Sequence, residues 1–458
     1  MNAIFSDKFF YHIYPLGMGN CPRHNDYQCP PGNFFEILTP ELDRIHELGV
    51  NALYIGPIFE STSHGYDTLD YFYVDRRLGN NEKFKDFCRE CHNRGISVIL
   101  DAVFNHTGRE FFAFKDLIKN GTNSSYKDWY LNINFDGRSC FGDNFDYDGW
   151  AGCKDLVKLN GENPAVQDHL FSAVKFWIEE FGIDGLRLDA ADVLSPVFMD
   201  RLSSFCKSIK DDFWLMGEVV NGDYNNWAKP GRLDSVTNYQ IYKGIWSSIN
   251  DKNLFELSYN LNREFGPNGI YRYSPLYNFV DNHDVNRIGS TLKDCCSLHL
   301  LYGILFTIPG IPSIYYGSEL GIKGCRGQWD DFQLRPALPP FVERLEDFCR
   351  PDVDSTALVD SIKRFAKIRQ ENSVLQKGDY REISVSNQQF AFSRQYEGQE
   401  IIVCINIDSN DAKMDLHASN QLDKNGIYTD LLNGGEFKSS TLSSLEIPSK
   451  WLRILKRI

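Results

Sequence analysis

The sequence contains no stretch of about 18 or more apolar residues, so no membrane-spanning helix is expected. It also has no run of Lys and Arg long enough to form a basic stripe. With 48 basic against 62 acidic residues the formal charge is −14, and such a chain repels phosphate backbones and anionic lipid surfaces. Nucleic acid and membranes are therefore not expected partners. Residues Met1 to Lys8 show no charged segment followed by an apolar one. No signal peptide is expected, and the expected location is cytoplasmic. Internal repeats and low-complexity segments are also missing.

Metal-binding spacing is missing too. Twelve Cys in a chain of this size without a signal point to reduced thiols rather than a disulfide scaffold. Cys88-x-x-Cys91, followed by His92, has no second Cys pair at zinc spacing and falls in a helical segment. Cys21 and Cys29 bracket a polar loop, and whether they meet stays open. Asp143 to Gly149 lacks the spacing and closing Glu of an EF-hand loop. These motifs imply no metal and no cofactor.

What is present is length and apolar mass. The 458 residues are enough for a barrel of about 250 residues with attachments, and 42% are hydrophobic. Aromatics reach 14%. Most should fill the core, while some suit the packing of rings on sugar C–H faces.

Strand-like and helix-like segments alternate. Strands are expected at 9–15, 52–58, 96–104, 183–188, 213–219, 235–239, 276–280 and 311–316. Helices are expected at 40–49, 82–94, 163–181, 196–210, 298–308 and 356–372. The rhythm breaks between 105 and 160, a stretch too long for a bare loop, so an inserted subdomain is expected there. After about Leu375 the pattern becomes alternating, as in an antiparallel β domain. The fold class is α/β: a (β/α)8 TIM barrel with an inserted B domain and a C-terminal antiparallel β-sandwich. The expected boundaries are 1–104 and 161–374 for the barrel, 105–160 for the insertion and 375–458 for the C-terminal domain. An open doubly wound sheet is the alternative. It needs a phosphate-type turn, which Gly17-Met18-Gly19-Asn20 matches poorly.

Barrel chemistry sits at the C-terminal ends of strands. Four of those ends carry carboxylates: Asp101 on the third, Asp189 on the fourth, Glu218 on the fifth, and Asp281 and Asp284 on the seventh. Arg187 and Asp189 are two apart, so they share a face. A guanidinium there should hold Asp189 ionised, as a nucleophile needs. Glu218 belongs to the neighbouring strand, which suits a carboxyl pair about 5–5.5 Å apart. As a general acid it would need a raised pKa. Asp284, with His106 and His283, suits hydrogen bonding to sugar hydroxyls.

These segments resemble the α-amylase family of glycoside hydrolases. Asp101-Ala102-Val103-Phe104-Asn105-His106 looks like its first motif, Gly185-Leu186-Arg187-Leu188-Asp189 its second, Gly217-Glu218-Val219 its third, and Phe279-Val280-Asp281-Asn282-His283-Asp284 its fourth. The resemblance implies a retaining hydrolase of α-glucosidic bonds, with Asp189 as nucleophile, Glu218 as acid/base and Asp284 as transition-state stabiliser. It implies Arg187, Asp101, His106 and His283 as substrate-site residues. Tyr66, in His64-Gly65-Tyr66-Asp67, would stack under the sugar, and Arg287 would help close that subsite. Leu156-Val157-Lys158-Leu159-Asn160 and Gly231 to Tyr239 are similar to segments of neopullulanases and cyclomaltodextrinases. Maltooligosaccharides, cyclodextrins and pullulan fragments are the implied partners, with transglycosylation as the alternative outcome.

Three departures stand out. No extra N-terminal β domain precedes the first strand, and Val220 replaces an aromatic residue. Asn105 matches a calcium ligand of many members, but Val193 stands where a His often completes that site. Calcium near Asn105 is thus left open.

Overall fold

A computed structural model describes residues 5–328, 330–345, 348–417 and 426–458. Residues 1–4, part of the segment read as lacking a signal peptide, lie outside them. Eight parallel strands form one sheet: β1 (Phe10–Ile13), β2 (Ala52–Ile55), β3 (Ser97–Ala102), β4 (Gly185–Leu188), β5 (Trp214–Gly217), β6 (Ser235–Val236), β7 (Tyr277–Asn278) and β8 (Ile311–Tyr315). Their order is β6-β5-β4-β3-β2-β1-β8-β7. A parallel bridge from Thr237 to Tyr277 joins the two ends and closes the barrel.

Side-chain parity sorts the strands into two layers. Phe10, Ala52, Tyr54, Ile99, Trp214, Met216, Tyr277 and Ile311 fill the barrel interior. Tyr11, Leu53, Val98, Leu100, Leu186 and Leu215 face the surrounding helices. Both faces are buried, which explains the near-continuous apolar runs in the sequence. Continuing each interior row upward by two residues reaches His12, Asp101, Arg187, Asp189 and Glu218. The same alternation that packs the barrel floor therefore aims the polar groups into its mouth.

Helices at Asn81–Asn93, Pro164–Phe176, Pro196–Ile209, Ser297–Thr307 and Ser355–Gln370 lie close to their expected spans. Two more, Tyr239–Asn250 and Leu254–Phe265, fill the connection from β6 to β7, where a helical region without bounds was expected. A hairpin of Phe59–Ser61 with Thr68–Val74 follows β2 and was likewise not foreseen. Between β3 and β4, strands His106–Gly108, Gly149–Trp150 and Cys153–Lys158 form a small antiparallel sheet beside the helix Phe112–Asn120. Arg109 ties this insertion together with a two-pronged pair to Asp143 at 2.8 and 2.9 Å.

After the last barrel helix, six antiparallel strands from Asp379–Val385 to Trp451–Arg457 form a second sheet. The pair Ala412–Met414 and Leu445–Ile447 covers one face over a core of Ile383, Ile402, Met414, Leu445 and Leu455. The other face docks on the barrel. There Arg394, fully buried, donates to the Thr307 carbonyl at 2.7 Å and the Gly378 carbonyl at 2.8 Å. The twelve cysteines are free; Cys88 and Cys91 are buried, and Cys21 and Cys29 bond to Arg77 and Asp26 rather than to each other.

Candidate active site

Arg187 is the centre of the site. Its side chain is 3% exposed and rises from β4 among three carboxylates. Nη1 reaches Asp101 Oδ1 at 2.9 Å and Asp189 Oδ1 at 2.8 Å, and Nη2 reaches Glu218 Oε2 at 2.9 Å. One fork therefore holds groups from β3, β4 and β5. Ala190, which follows Asp189, takes the left-handed backbone conformation (φ 46°), rare for a residue with a side chain. That turn aims its N–H at Glu218 Oε2, 3.1 Å away. The strained position sits between two functional carboxylates, where such strain tends to concentrate.

The carboxylates depart from one electrostatic expectation. Arg187 was expected to keep Asp189 ionised. Its charge does favour the anion, yet burial pushes the Asp189 carboxyl well above the usual range, and the charges of Glu218 and Asp101 add to that. Burial also raises Glu218, with Arg187 opposing and Asp284 reinforcing the rise. A single guanidinium cannot neutralise three buried acids, so protons are shared within the group and the acids titrate as a unit. The raised Glu218, which the sequence did not reveal, meets the requirement for a general acid.

Asp101 lies one layer below the cleft. Besides Arg187 it accepts hydrogen bonds from Tyr54 at 2.8 Å and Tyr66 at 2.9 Å, and it is 1% exposed. It was expected to meet substrate; instead it supports Arg187 and Tyr66. The Tyr66 hydroxyl also bonds His283 Nε2 at 2.5 Å, and the two rings lie nearly parallel. His283 Nε2 is 3.0 Å from Asp284 Oδ2. Burial holds His283 well below its ordinary pKa and pushes His106 down to about 3, so both are neutral. His106 Nε2 and His283 Nδ1 are buried without a hydrogen-bond partner.

Arg287 is the clearest correction. It was expected at the sugar subsite, but it is fully buried. Its guanidinium donates to the Leu334 carbonyl at 2.9 Å and the Tyr316 carbonyl at 2.5 Å, and lies over the Tyr315 ring. The arginine that meets Asp284 is Arg335, whose Nη2 reaches Asp284 Oδ1 at 3.0 Å. Its Nε donates to the His283 carbonyl at 3.0 Å, and its guanidinium covers the Tyr14 ring. Sequence reasoning missed Arg335 because it lies 51 positions from Asp284, in an irregular loop after β8. The one available signal was a second Gly: a side chain at Gly17 would meet the Arg335 carbonyl at 2.4 Å, so only glycine admits that loop. Gly17 serves this approach, while a side chain at Gly19 would meet the Phe34 ring at 2.6 Å.

Three more groups line the mouth. Trp150, 39% exposed at the tip of the inserted hairpin, faces the His106 ring at 5.9 Å. Tyr239 places its hydroxyl 3.4 Å from Glu218 Oε1 while accepting from Asn282 at 3.2 Å. Val193 and Val220 are half-exposed beside β4 and β5. Near Asn105 the side chains offer few oxygen ligands for the calcium site of the resemblance. The Asn105 side-chain nitrogen lies 3.1 Å from His106 Nδ1, which leaves its Oδ1 out of that contact, Val193 has no side-chain ligand, and Asn105 adjoins no cluster of three acidic, His or Cys ligands among the described residues.

Comparison with known proteins agrees with this geometry. The model of the alpha amylase catalytic domain matches residues 32–388, and that of the alpha amylase C-terminal all-beta domain matches residues 383–445. The chain is 30% identical to a cyclomaltodextrinase of Thermoanaerobacter pseudethanolicus, over 95% of this chain and 75% of that one. It is also 30% identical to an intracellular maltogenic amylase of Bacillus subtilis, over 84% of this chain and 63% of that one. Among solved structures, a cyclic alpha-maltosyl-(1→6)-maltose hydrolase from Arthrobacter globiformis, in complex with that sugar, superposes with a TM-score of 0.82 at 25% identity, over 99% of this chain and 98% of that one. The chain belongs to the α-amylase family of glycoside hydrolases.

Proposed function

We propose that the chain hydrolyses α-glucosidic bonds in maltooligosaccharides, cyclodextrins or pullulan-type glucans with retention of configuration. Asp189 attacks the anomeric carbon while Glu218 gives its proton to the leaving oxygen, forming a glycosyl ester on Asp189. Glu218, now ionised, takes a proton from water, which cleaves the ester and restores Asp189. Asp284 stabilises the oxocarbenium-like transition state, Tyr66 stacks under the sugar, and His106 and His283 bind its hydroxyls. The observation that carries this reading is the Arg187 fork, which reaches both Asp189 and Glu218. One guanidinium holding both carboxyls accommodates the retaining spacing of about 5–5.5 Å, and the anomeric test below decides between retention and inversion.

We assign residues 1–104 and 161–374 to the catalytic barrel, 105–160 to the substrate-facing insertion and 375–458 to the C-terminal domain. No helix among the described residues is long and apolar enough to cross a membrane. The similarity to an intracellular maltogenic amylase supports a cytoplasmic enzyme. The test is a product profile on maltotriose, panose, pullulan and β-cyclodextrin, read by NMR for anomeric configuration. Initial α-anomers are expected, and Asp189→Asn is expected to abolish them. Initial β-anomers, or full activity of Asp189→Asn, would overturn the assignment. Oligosaccharides longer than maltotriose would mark transfer rather than hydrolysis.

A further inference from the structure

The cleft is built unequally at its two sides. Beside β4 and β5, Val193 and Val220 are about half exposed, leaving that side open. The opposite side, around β2, β1 and β8, is crowded. Two rim loops meet there. The first, residues 20–32, is pinned to the hairpin after β2: Asn25 N donates to the Thr62 carbonyl at 2.9 Å, and Arg77 Nη1 to the carbonyls of Pro22 at 3.0 Å and Ser63 at 2.5 Å. Arg77 is itself fixed by Asp75 at 2.6 Å, so the loop has a rigid footing. The second loop follows β8 and carries Asp331, Phe332 and Arg335. It is held by Arg287 through the Leu334 carbonyl and by Arg326 N on Asn286 Oδ1 at 2.7 Å.

A ring contact joins the two loops. The Arg23 guanidinium lies 3.4 Å from the centre of the Phe332 ring. Arg23 has no carboxylate within ion-pair distance among the described residues, so this ring is the partner the structure provides. In the sheet, β1 lies between β2 and β8, so a contact from the β2 side to the β8 side spans the exit of β1. Below it Tyr14 lies under Arg335, and Arg335 reaches Asp284. The contact therefore stands on the same side of the site as Tyr66, His283 and Asp284.

We infer that Arg23 and Phe332 form a wall that closes the donor end of the cleft, so that among the proposed substrates linear maltooligosaccharides are favoured over cyclodextrin rings, which have no tip, and enter with their non-reducing tip to be cut at a short, fixed distance from it. The inference rests on the proposed glucanase reading, in which Tyr66 and His283 hold the sugar on the donor side of the cut. Arg23 and Phe332 are specificity residues rather than catalytic ones. A planar guanidinium suits this stacking and an ammonium does not.

The experiment uses the full chain with maltoheptaose labelled at its reducing end, and follows the lengths of the unlabelled products. Wild type is expected to release one dominant short oligosaccharide. Phe332→Ala, Arg23→Ala and Arg23→Lys are expected to raise the share of longer unlabelled products at least threefold, with melting temperatures recorded to confirm folding. Arg23→Lys keeps the charge and length, so it separates stacking from simple loop damage. A wild-type enzyme that cuts at many internal bonds, or folded variants with the wild-type distribution, would overturn the wall while leaving the glucanase reading intact. Wild type that cleaves no α-glucan would instead overturn the reading on which the wall rests.

Discussion

Replacing Arg187 tests the centre of the site. Arg187→Lys keeps the charge but loses the fork that reaches Asp101, Asp189 and Glu218 at 2.8–2.9 Å. A lysine ammonium can retain one of these contacts, so two charge-assisted bonds are lost. At about 1.5–3 kcal/mol for each such bond, the loss is about 3 kcal/mol or more. If it falls on the aligned transition state, kcat/KM on maltotriose should drop at least a hundredfold, at about 1.4 kcal/mol per decade. A slip of ~1 Å in a reacting group has a similar cost. Arg187→Met also removes the charge. Arg187 lowers the pKa of both Asp189 and Glu218, against the burial that raises them. Without it both rise further. Asp189 then ionises only at higher pH, which moves the acid limb up. Glu218 keeps its proton to higher pH, which moves the alkaline limb up. The whole pH–rate bell should therefore shift upward in Arg187→Met and much less in Arg187→Lys. A bell in Arg187→Met that stays or moves down, or wild-type rates in Arg187→Lys, would refute the reasoning.

Two further outcomes are expected. Arg335→Lys should lower kcat about a hundredfold with little change in thermal melting, because Arg335 acts on Asp284; Arg287→Lys should lower the melting temperature first, because its guanidinium is spent on buried carbonyls. Calorimetry beside initial rates separates the two, and the reverse pattern would restore Arg287 to the subsite. Glu264 is fully buried, with Oε2 accepting from Asn238 and Oε1 without a hydrogen bond, 3.9 Å from Arg263 Nη2; burial raises its pKa to about 7 against Asn238 and Arg263. Its folded pKa thus exceeds its unfolded value of about 4.5, so the stability it contributes is full below that pH and is lost as pH rises through about 7. The change amounts to about 3 kcal/mol. Glu264→Gln should flatten the denaturation midpoint between pH 4.5 and 7 and stabilise the protein at pH 8; an unchanged pH profile would argue against a buried, titrating Glu264.

The alternation of the sequence was enough to place all eight strands, because a barrel strand buried on both faces must be apolar and short. Spacing then put Asp101, Arg187, Asp189 and Glu218 on the interior face, since side chains two apart along a strand point the same way. The family motifs lie in those strands or directly after them, so the resemblance could be read from the sequence. The helix bounds in the connection from β6 to β7 could not, as its two helices have helical periodicity interrupted by Asn and Lys at Asn250 to Asn253.

What only the tertiary structure decided involves residues far apart in the chain. Proximity in sequence suggested Arg287 for Asp284, but the barrel swings Arg287 into the core and brings Arg335 from after β8. Arg187 sits beside Asp189 in sequence, yet whether it keeps that acid ionised depends on burial and on how many other carboxylates share its charge. Local spacing fixes the direction of a side chain within a strand. Desolvation and the meeting of loops depend on every element packed around it, and no single segment of sequence carries that information.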